Sequence, residues 1–408
     1  MNKPLIDNKP AVAAWLVLLA AAGTFAVTMG ARQTMGLFLS PINTATGLGV
    51  GNISLAFAFG QLCWGLTQPF AGAMADRMGA GRVLLVGALL VALGTFITPW
   101  MSSTAGLIFS IGGLAAGGAG IAGPAGLMAA TARLIPTRMR GLATGVVNAG
   151  GSFGQFVMAP TAGALMLAFG WGNAMQVMAL IVLLALPAAY LLRGQSGHAL
   201  PAGQAPLGAL AAISQAVRNP SYLMLSGGFF VCGFHVAFLG THLPGVVALC
   251  GLPLQYGAWS LAVLGLFNIV GSIAMGWAVG RWRMKSLLSL VYATRALAVL
   301  LFLLAPKSEG VVLAFAAVMG LTFLSTVPPT AGLIAKFFGT ANMATLFGVV
   351  LLTHQIGGFL GAWLGGRVLE ATGNYNGVWY IDIVLAIGAA LLHLPIREAR
   401  VLRAGVSG

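Results

Sequence analysis

Acidic side chains are nearly missing from this chain. Asp7, Asp76, Glu309, Glu370, Asp382 and Glu398 are the full set in 408 residues, and charged residues of both signs reach only 6%. So few charges cannot solvate a globule of this size, which excludes an ordinary water-soluble protein. The same scarcity removes most enzyme chemistry. There is no phosphate-binding loop and no His/Cys/Asp/Glu cluster with metal-ligand spacing, so we expect no enzyme and no cofactor. An ATP-driven pump would need its nucleotide domain from a separate subunit. Cysteine is scarce too. Cys63, Cys232 and Cys250 are odd in number and lie in or beside apolar runs, so neither a disulfide framework nor a metal site is expected.

Hydrophobic residues are plentiful, at 59%. Apolar runs of roughly 20 residues, each long enough to cross a bilayer as a helix, recur along the whole chain. Twelve are discernible, at about residues 11–41, 51–75, 82–101, 105–132, 141–168, 172–192, 221–247, 256–280, 284–305, 310–337, 343–368 and 376–395. The net charge of +14 could suggest nucleic acid, but its distribution argues for a bilayer. With twelve spans, Lys3, Lys9, Arg77, Arg82, Arg133, Arg138, Arg140, Arg193, Arg218, Arg281, Arg283, Lys285, Lys336, Arg397, Arg400 and Arg403 share one side. Only Lys307 and Arg367 fall on the other. Positive charge marks the cytoplasmic side, so both termini are expected there, with no nucleic-acid partner. The first apolar run is too long for a cleavable signal peptide. Residues 193–220, rich in Gly, Pro, Ala and Gln, read as a cytoplasmic linker between halves 1–192 and 221–408.

The halves repeat one another. Adding 203 carries Gly30, Arg32 and Pro41 onto Gly233, His235 and Pro244, and Arg82 onto Lys285. The same offset carries Arg133 and Thr137 onto Lys336 and Thr340, Gly145-Val146-Val147 onto Gly348-Val349-Val350, and Gly154 and Gly163 onto Gly357 and Gly366. Two pseudo-symmetric six-helix bundles follow, with a site between them near the midplane. Arg32 matters in that setting. A cation inside an apolar segment costs several kcal/mol unless it faces a wet cavity, a partner or a ligand. Its repeat mate is the ionisable His235, and a His titrates near neutral pH. The pair suggests an anion bridging Arg32 and His235, with His235 coupling its binding to a proton.

The loop after the second apolar run reads Gly72-Ala-Met-Ala-Asp76-Arg77-Met-Gly79-Ala-Gly-Arg82. It resembles the signature loop of the major facilitator superfamily, Gly-x-x-x-Asp-Arg-x-Gly-x-Arg, at the place where that family carries it. The second copy, Gly276-Trp-Ala-Val-Gly280-Arg281, keeps the Gly and Arg but has Gly280 for the Asp. The resemblance implies the major facilitator fold and a gating role for Gly72, Asp76, Arg77, Gly79 and Arg82. Within the superfamily the chain is most similar to the monocarboxylate-transporter and oxalate/formate-antiporter branch, through Arg32-Gln-Thr-Met-Gly-Leu-Phe-Leu-Ser-Pro-Ile42 and Pro160-x-x-Gly163. That branch's monocarboxylate carriers place an Asp and an Arg four apart in the eighth helix, where this chain has Asn268 and Ser272.

Polar residues at helical spacing supply further candidates. Thr24, Thr28, Arg32, Gly36 and Ser40 recur every four residues, and some of these hydroxyls should bond to their own backbone. His242 shares a face with His235. Ser54, Gln61 and Gln68 repeat every seven, while Asn148, Ser152 and Gln155 share one face. Lone polar residues in membrane helices often serve as interhelical hydrogen-bond partners, the reading preferred for Gln68 and Ser152. Gln61, Asn148, Gln155, Asn268, His242 and His354 are carried forward with Arg32 and His235 as substrate-binding candidates. Arg295 and Asp382 fall near mid-helix with Ala92 and Ala179 as repeat mates, so a structural ion pair outside the symmetric site is expected. Gly112-Gly113, Gly117-Gly118, Gly120, Gly123-Pro124 and Pro328-Pro329 mark helices able to bend.

The expectation is an all-α membrane protein, a monomer in a bacterial inner membrane. It would be a proton-coupled secondary transporter of small organic anions, monocarboxylates first. The alternative is a multidrug or metabolite exporter of the same superfamily. A transporter-like receptor would need a signalling domain, and none is visible.

Overall fold

The structure is a computed structural model that describes residues 11–124, 127, 131, 140–192, 209–339 and 342–399. Lys3, Lys9, Arg133, Arg138, Arg193, Arg400, Arg403 and most of the 193–220 linker lie outside these residues, as do the side chains of Gly72, Asp76, Arg77 and Arg140.

Every described element is helical. The first half of the chain contains α1 (Ala11–Gln33), a 3-10 turn (Met35–Phe38), α2 (Leu39–Thr46), α3 (Val50–Met78), α4 (Ala80–Ile97) and α5 (Thr104–Leu107). A π-helical stretch (Ile108–Ala116) follows, then α6 (Gly117–Ile121), α7 (Arg140–Val182) and α8 (Ala185–Leu191). The second half has α9 (Ala209–Val217), α10 (Pro220–Leu249), α11 (Leu254–Val279), α12 (Met284–Leu304) and α13 (Glu309–Thr322). It ends with α14 (Val327–Phe338), α15 (Met343–Thr372) and α16 (Asn376–His393).

Ten of the described helical segments are long and apolar enough to cross a membrane. Helix α3 is not among them, although it is 29 residues long, because Asn52, Gln61 and Gln68 lower its hydropathy. Conversely, α7 at 43 residues would extend about 65 Å, twice the hydrocarbon thickness. It is interrupted at Gly170, where φ is 78° and ψ is 163°, so the chain turns back there. Gly373, the repeat mate of Gly170, has φ 71° and separates α15 from α16. Glycine takes a positive φ at low cost, so each half places a glycine at the corresponding helix break, with different ψ values of 163° and 4°. Gly79 (φ 87°) performs the equivalent service between α3 and α4, which accounts physically for one glycine of the signature loop. Arg82 follows it on the exposed surface.

The repeat is also visible in packing. A Cβ added at Gly30 would touch the Gly154 backbone, and one at Gly154 would overlap the Ala26 carbonyl, so α1 lies backbone to backbone on the first part of α7. The mates behave alike. Gly233 meets the His354 carbonyl and Gly357 meets the Phe230 carbonyl, joining α10 to α15. Small residues permit such close helix approach where lipid supplies no hydrophobic drive. We expect Gly357→Ala to lower thermal stability in detergent, consistent with the ~1–3 kcal/mol cost of overpacking. Gly348→Ala, in the same helix but with nothing within 4 Å of the added Cβ, should leave stability unchanged or raise it. Equal losses at the two sites would refute this packing account.

The two halves meet along α3 and α15, along α7 and α11, and where the 3-10 turn and α2 reach α10. Gly65 abuts the Gln355 side chain, Gly366 seats Ser54, Gly265 faces Ser152 and Gln155, and Gly36 abuts the backbone of Gly240 and Thr241. Beyond these, Gly51 lies against Arg367 and Glu370, and those two side chains pair at 3.0 Å. Among the described residues, these glycine approaches between halves run from mid-height to the end of the molecule reached by α2. The cavity described next lies on the other side of the Gly36–Gly240 contact.

Candidate functional site

A cavity of about 110 Å³ opens between the halves. One wall comes from α1 (Met29, Arg32, Gln33) and α3 (Phe57, Gln61, Trp64). Another comes from α10 (Val236, Ala237, Gly240, Thr241) and α15 (His354, Gln355). The remainder is Ile111, Ala115 and Ala116 of the π-helical stretch, Gln155 of α7, and Phe323 and Leu324 between α13 and α14. The backbone is irregular where it meets the cavity. Non-helical backbone at membrane depth is tolerated only where other groups satisfy its polar atoms. Here the Leu324 N–H donates to Asn268 Oδ1 at 3.0 Å, and Arg295 supplies the Thr322 and Phe323 carbonyls.

Arg32 is the cavity's permanent charge. Its guanidinium donates to Gln61 Oε1 at 2.6 Å and lies 5.0 Å from the Trp64 ring centroid. Neither partner is anionic, and none of the described residues lining the cavity is acidic. The charge is held in position without being neutralised, which leaves it available to an anion. The hydroxyls below it on α1 do not compete for that role. Thr24 and Thr28 donate to the carbonyls of Ala20 and Thr24, both at 2.8 Å.

His235 does not face Arg32. It is 1% exposed and points away from the cavity into the second half, toward α12 and α16. The repeat sets its height correctly, but position 235 lies at the edge of the stripe whose centre is Val236, Ala237, Gly240 and Thr241. A long Arg can reach round a helix from such an edge, whereas a short imidazole cannot. The proposed Arg32–His235 anion bridge, and with it a cavity role for His235 in proton coupling, is therefore corrected. A second correction concerns Arg295 and Asp382. They do not pair directly, because His235 stands between them. Its Nδ1 is 3.3 Å from Arg295 Nη1, and its Nε2 is 3.3 Å from the Asp382 carbonyl and 3.1 Å from Asp382 Oδ1. Arg can only donate, so Nδ1 accepts and the ring proton sits on Nε2 facing Asp382. The Arg295 guanidinium also donates to the carbonyls of Thr322 and Phe323, the latter at 2.7 Å, and contacts Cys232 Sγ at 3.7 Å.

The other candidates divide. Gln61, Gln155 and His354 line the cavity. His242 does not: it is fully buried between the Ala362 carbonyl (2.7 Å) and the Tyr375 hydroxyl (3.1 Å). Asn148 is exposed on α7 and is not among the residues lining the cavity. Asn268 is fully buried and donates to Ser152 Oγ at 2.8 Å, so it clips α11 and the α13–α14 break to α7 and takes no place in the cavity wall. Sequence reasoning missed Gln33, Trp64, Thr241 and Gln355 as wall residues. Two of these are chain neighbours of Arg32 and His354, and Gln355 is the repeat mate of Ser152.

A family description for the Major Facilitator Superfamily matches residues 20–362. The chain belongs to the major facilitator superfamily. It is an integral membrane protein and a transporter, not an enzyme. Curated members of similar sequence include Monocarboxylate transporter 13 of Rattus norvegicus, 26% identical over 93% of this chain and 89% of the relative. Monocarboxylate transporter 11 of Mus musculus is 26% identical over 94% and 88%. An uncharacterised MFS-type transporter, YcxA, of Bacillus subtilis is 25% identical over 93% and 94%. Of this superfamily member's signature loop, Gly79 and Arg82 lie outside the cavity wall.

Proposed function

We propose that the chain is a secondary transporter of small organic anions, monocarboxylates first among them, working by alternating access and coupled to protons. In this reading it crosses a bacterial cytoplasmic membrane twelve times as a monomer, with two six-helix bundles (1–192 and 221–408) joined by the 193–220 linker and both termini inside. The ten apolar segments, the reversal at Gly170 and the length of α3 support that count. The contacts from Gly36 to Gly51 hold the two halves together at the end reached by α2.

The observation that carries the substrate class is Arg32 in a cavity wall with no acid among the described residues. A bound carboxylate would supply the missing counter-charge. The size of the cavity points the same way, since pockets for drug-sized ligands span about 300–1,000 Å³. The names of the monocarboxylate transporters it resembles agree. For the proton, His354 takes the place assigned to His235, being the histidine among the described residues of the cavity wall. The signature loop at Gly72, Asp76, Arg77, Gly79 and Arg82 serves gating.

The test is an uptake screen in proteoliposomes across mono- and dicarboxylates, with and without a proton gradient. Monocarboxylate uptake that rises with an inward-directed gradient is expected. Competition by neutral or cationic drugs and by no carboxylate would favour a multidrug exporter instead.

A further inference from the structure

Buried polar atoms without partners collect at the cavity. Of the eleven described, six belong to its wall: Gln33 Oε1, Trp64 Nε1, Gln155 Oε1, His354 Nδ1, and both Oε1 and Nε2 of Gln355. Gln155 and Gln355 are each 1% exposed. A buried donor or acceptor left unpaired is costly, so a cluster of them in one cavity describes the ligand that would pair them.

An anion alone cannot do so. A carboxylate has only acceptor atoms. It can receive hydrogen bonds from Arg32, from the Trp64 indole N–H and from a glutamine N–H, but it has nothing to give to a glutamine carbonyl. Rotating the Gln355 amide does not help. Rotation exchanges oxygen and nitrogen, and since both atoms lack partners, one acceptor always remains unserved. The wall therefore has an anion-binding part and a second part that accepts hydrogen bonds.

We propose that the cavity selects carboxylates that carry hydrogen-bond donors of their own besides the carboxylate, such as hydroxyl, amide or ureido groups, and that Gln355 and Gln155 enforce the choice. This rests on the anion reading of Arg32 and deepens it. A site built to hydrogen-bond a substrate group discriminates strongly against the analogue lacking it, because its own buried atoms are then left unpaired.

The test compares uptake of glycerate and propionate by the full-length protein in proteoliposomes. Both are three-carbon monocarboxylates, and they differ by two hydroxyls. Glycerate should show an apparent KM at least about tenfold below that of propionate, the factor that corresponds to about 1.4 kcal/mol. Gln355→Met and Gln155→Met, which keep side-chain length, should raise the glycerate KM toward the propionate value. The wild-type comparison stands without these variants should either fail to fold. Equal KM values in the wild type, with uptake still lost in Arg32→Gln, would overturn this inference and leave the anion reading intact. Uptake of neither acid would overturn both.

Discussion

Arg32→Gln reduces carboxylate uptake about a hundredfold, while Arg32→Lys keeps a measurable part of it. The size follows from the loss of one partner of a desolvated charge contact, roughly 3 kcal/mol, which is about two decades in affinity. Lysine keeps the charge but loses the planar fork that can serve a carboxylate with two parallel bonds, so its rescue is incomplete. Gln61 is a natural control. In the wild type its carbonyl accepts the 2.6 Å bond from Arg32, and in the Gln variant it faces a neutral amide. Uptake is to be normalised to reconstituted protein, which separates transport from yield. Unchanged uptake by the Gln variant would remove Arg32 from the site.

The second large effect concerns folding. Arg295→Ala should sharply lower the yield of folded protein. Removing one member of a buried charged network costs about 3–5 kcal/mol. The sequence suggested a two-residue pair, and a double variant at Arg295 and Asp382 would restore such a pair to neutrality. The structure leads to a different expectation. Arg295 donates to the backbone carbonyls of Thr322 and Phe323, where the helix is broken, and reaches Asp382 only through His235. Arg295→Ala combined with Asp382→Ala therefore remains poorly folded, because those carbonyls stay orphaned. Asp382→Asn alone should be milder, since the amide oxygen can still accept from the imidazole. Size-exclusion profiles in detergent distinguish the cases, and full recovery in the double variant would mean that the charge pair alone matters.

Legibility in the sequence followed the physics of each feature. Apolar run length and the 203-residue offset depend on local composition and on inheritance, so both could be read directly. The offset even matched contacts that cannot be seen in sequence, as Gly30 and Gly154 repeat the packing of Gly233 and Gly357. Direction around a helix was harder. One residue is about 100° of rotation, so His235 and Val236 share a height but face different neighbours. The same uncertainty placed His242, Asn148 and Asn268 in a cavity they do not line and passed over Gln355, next to His354. Partners contributed by other helices were out of reach altogether. Nothing in the sequence shows that a histidine sits between Arg295 and Asp382, or that a broken helix supplies the carbonyls that hold the arginine.

The central claim is that the cavity at Arg32 binds the anion that is carried. Its most direct measurement is calorimetric binding of the best-transported carboxylate to purified protein, comparing wild type with Arg32→Gln at matched thermal stability. The account predicts saturable binding to the wild type that is lost in the variant. Equal affinity for both would place the anion elsewhere and contradict the account.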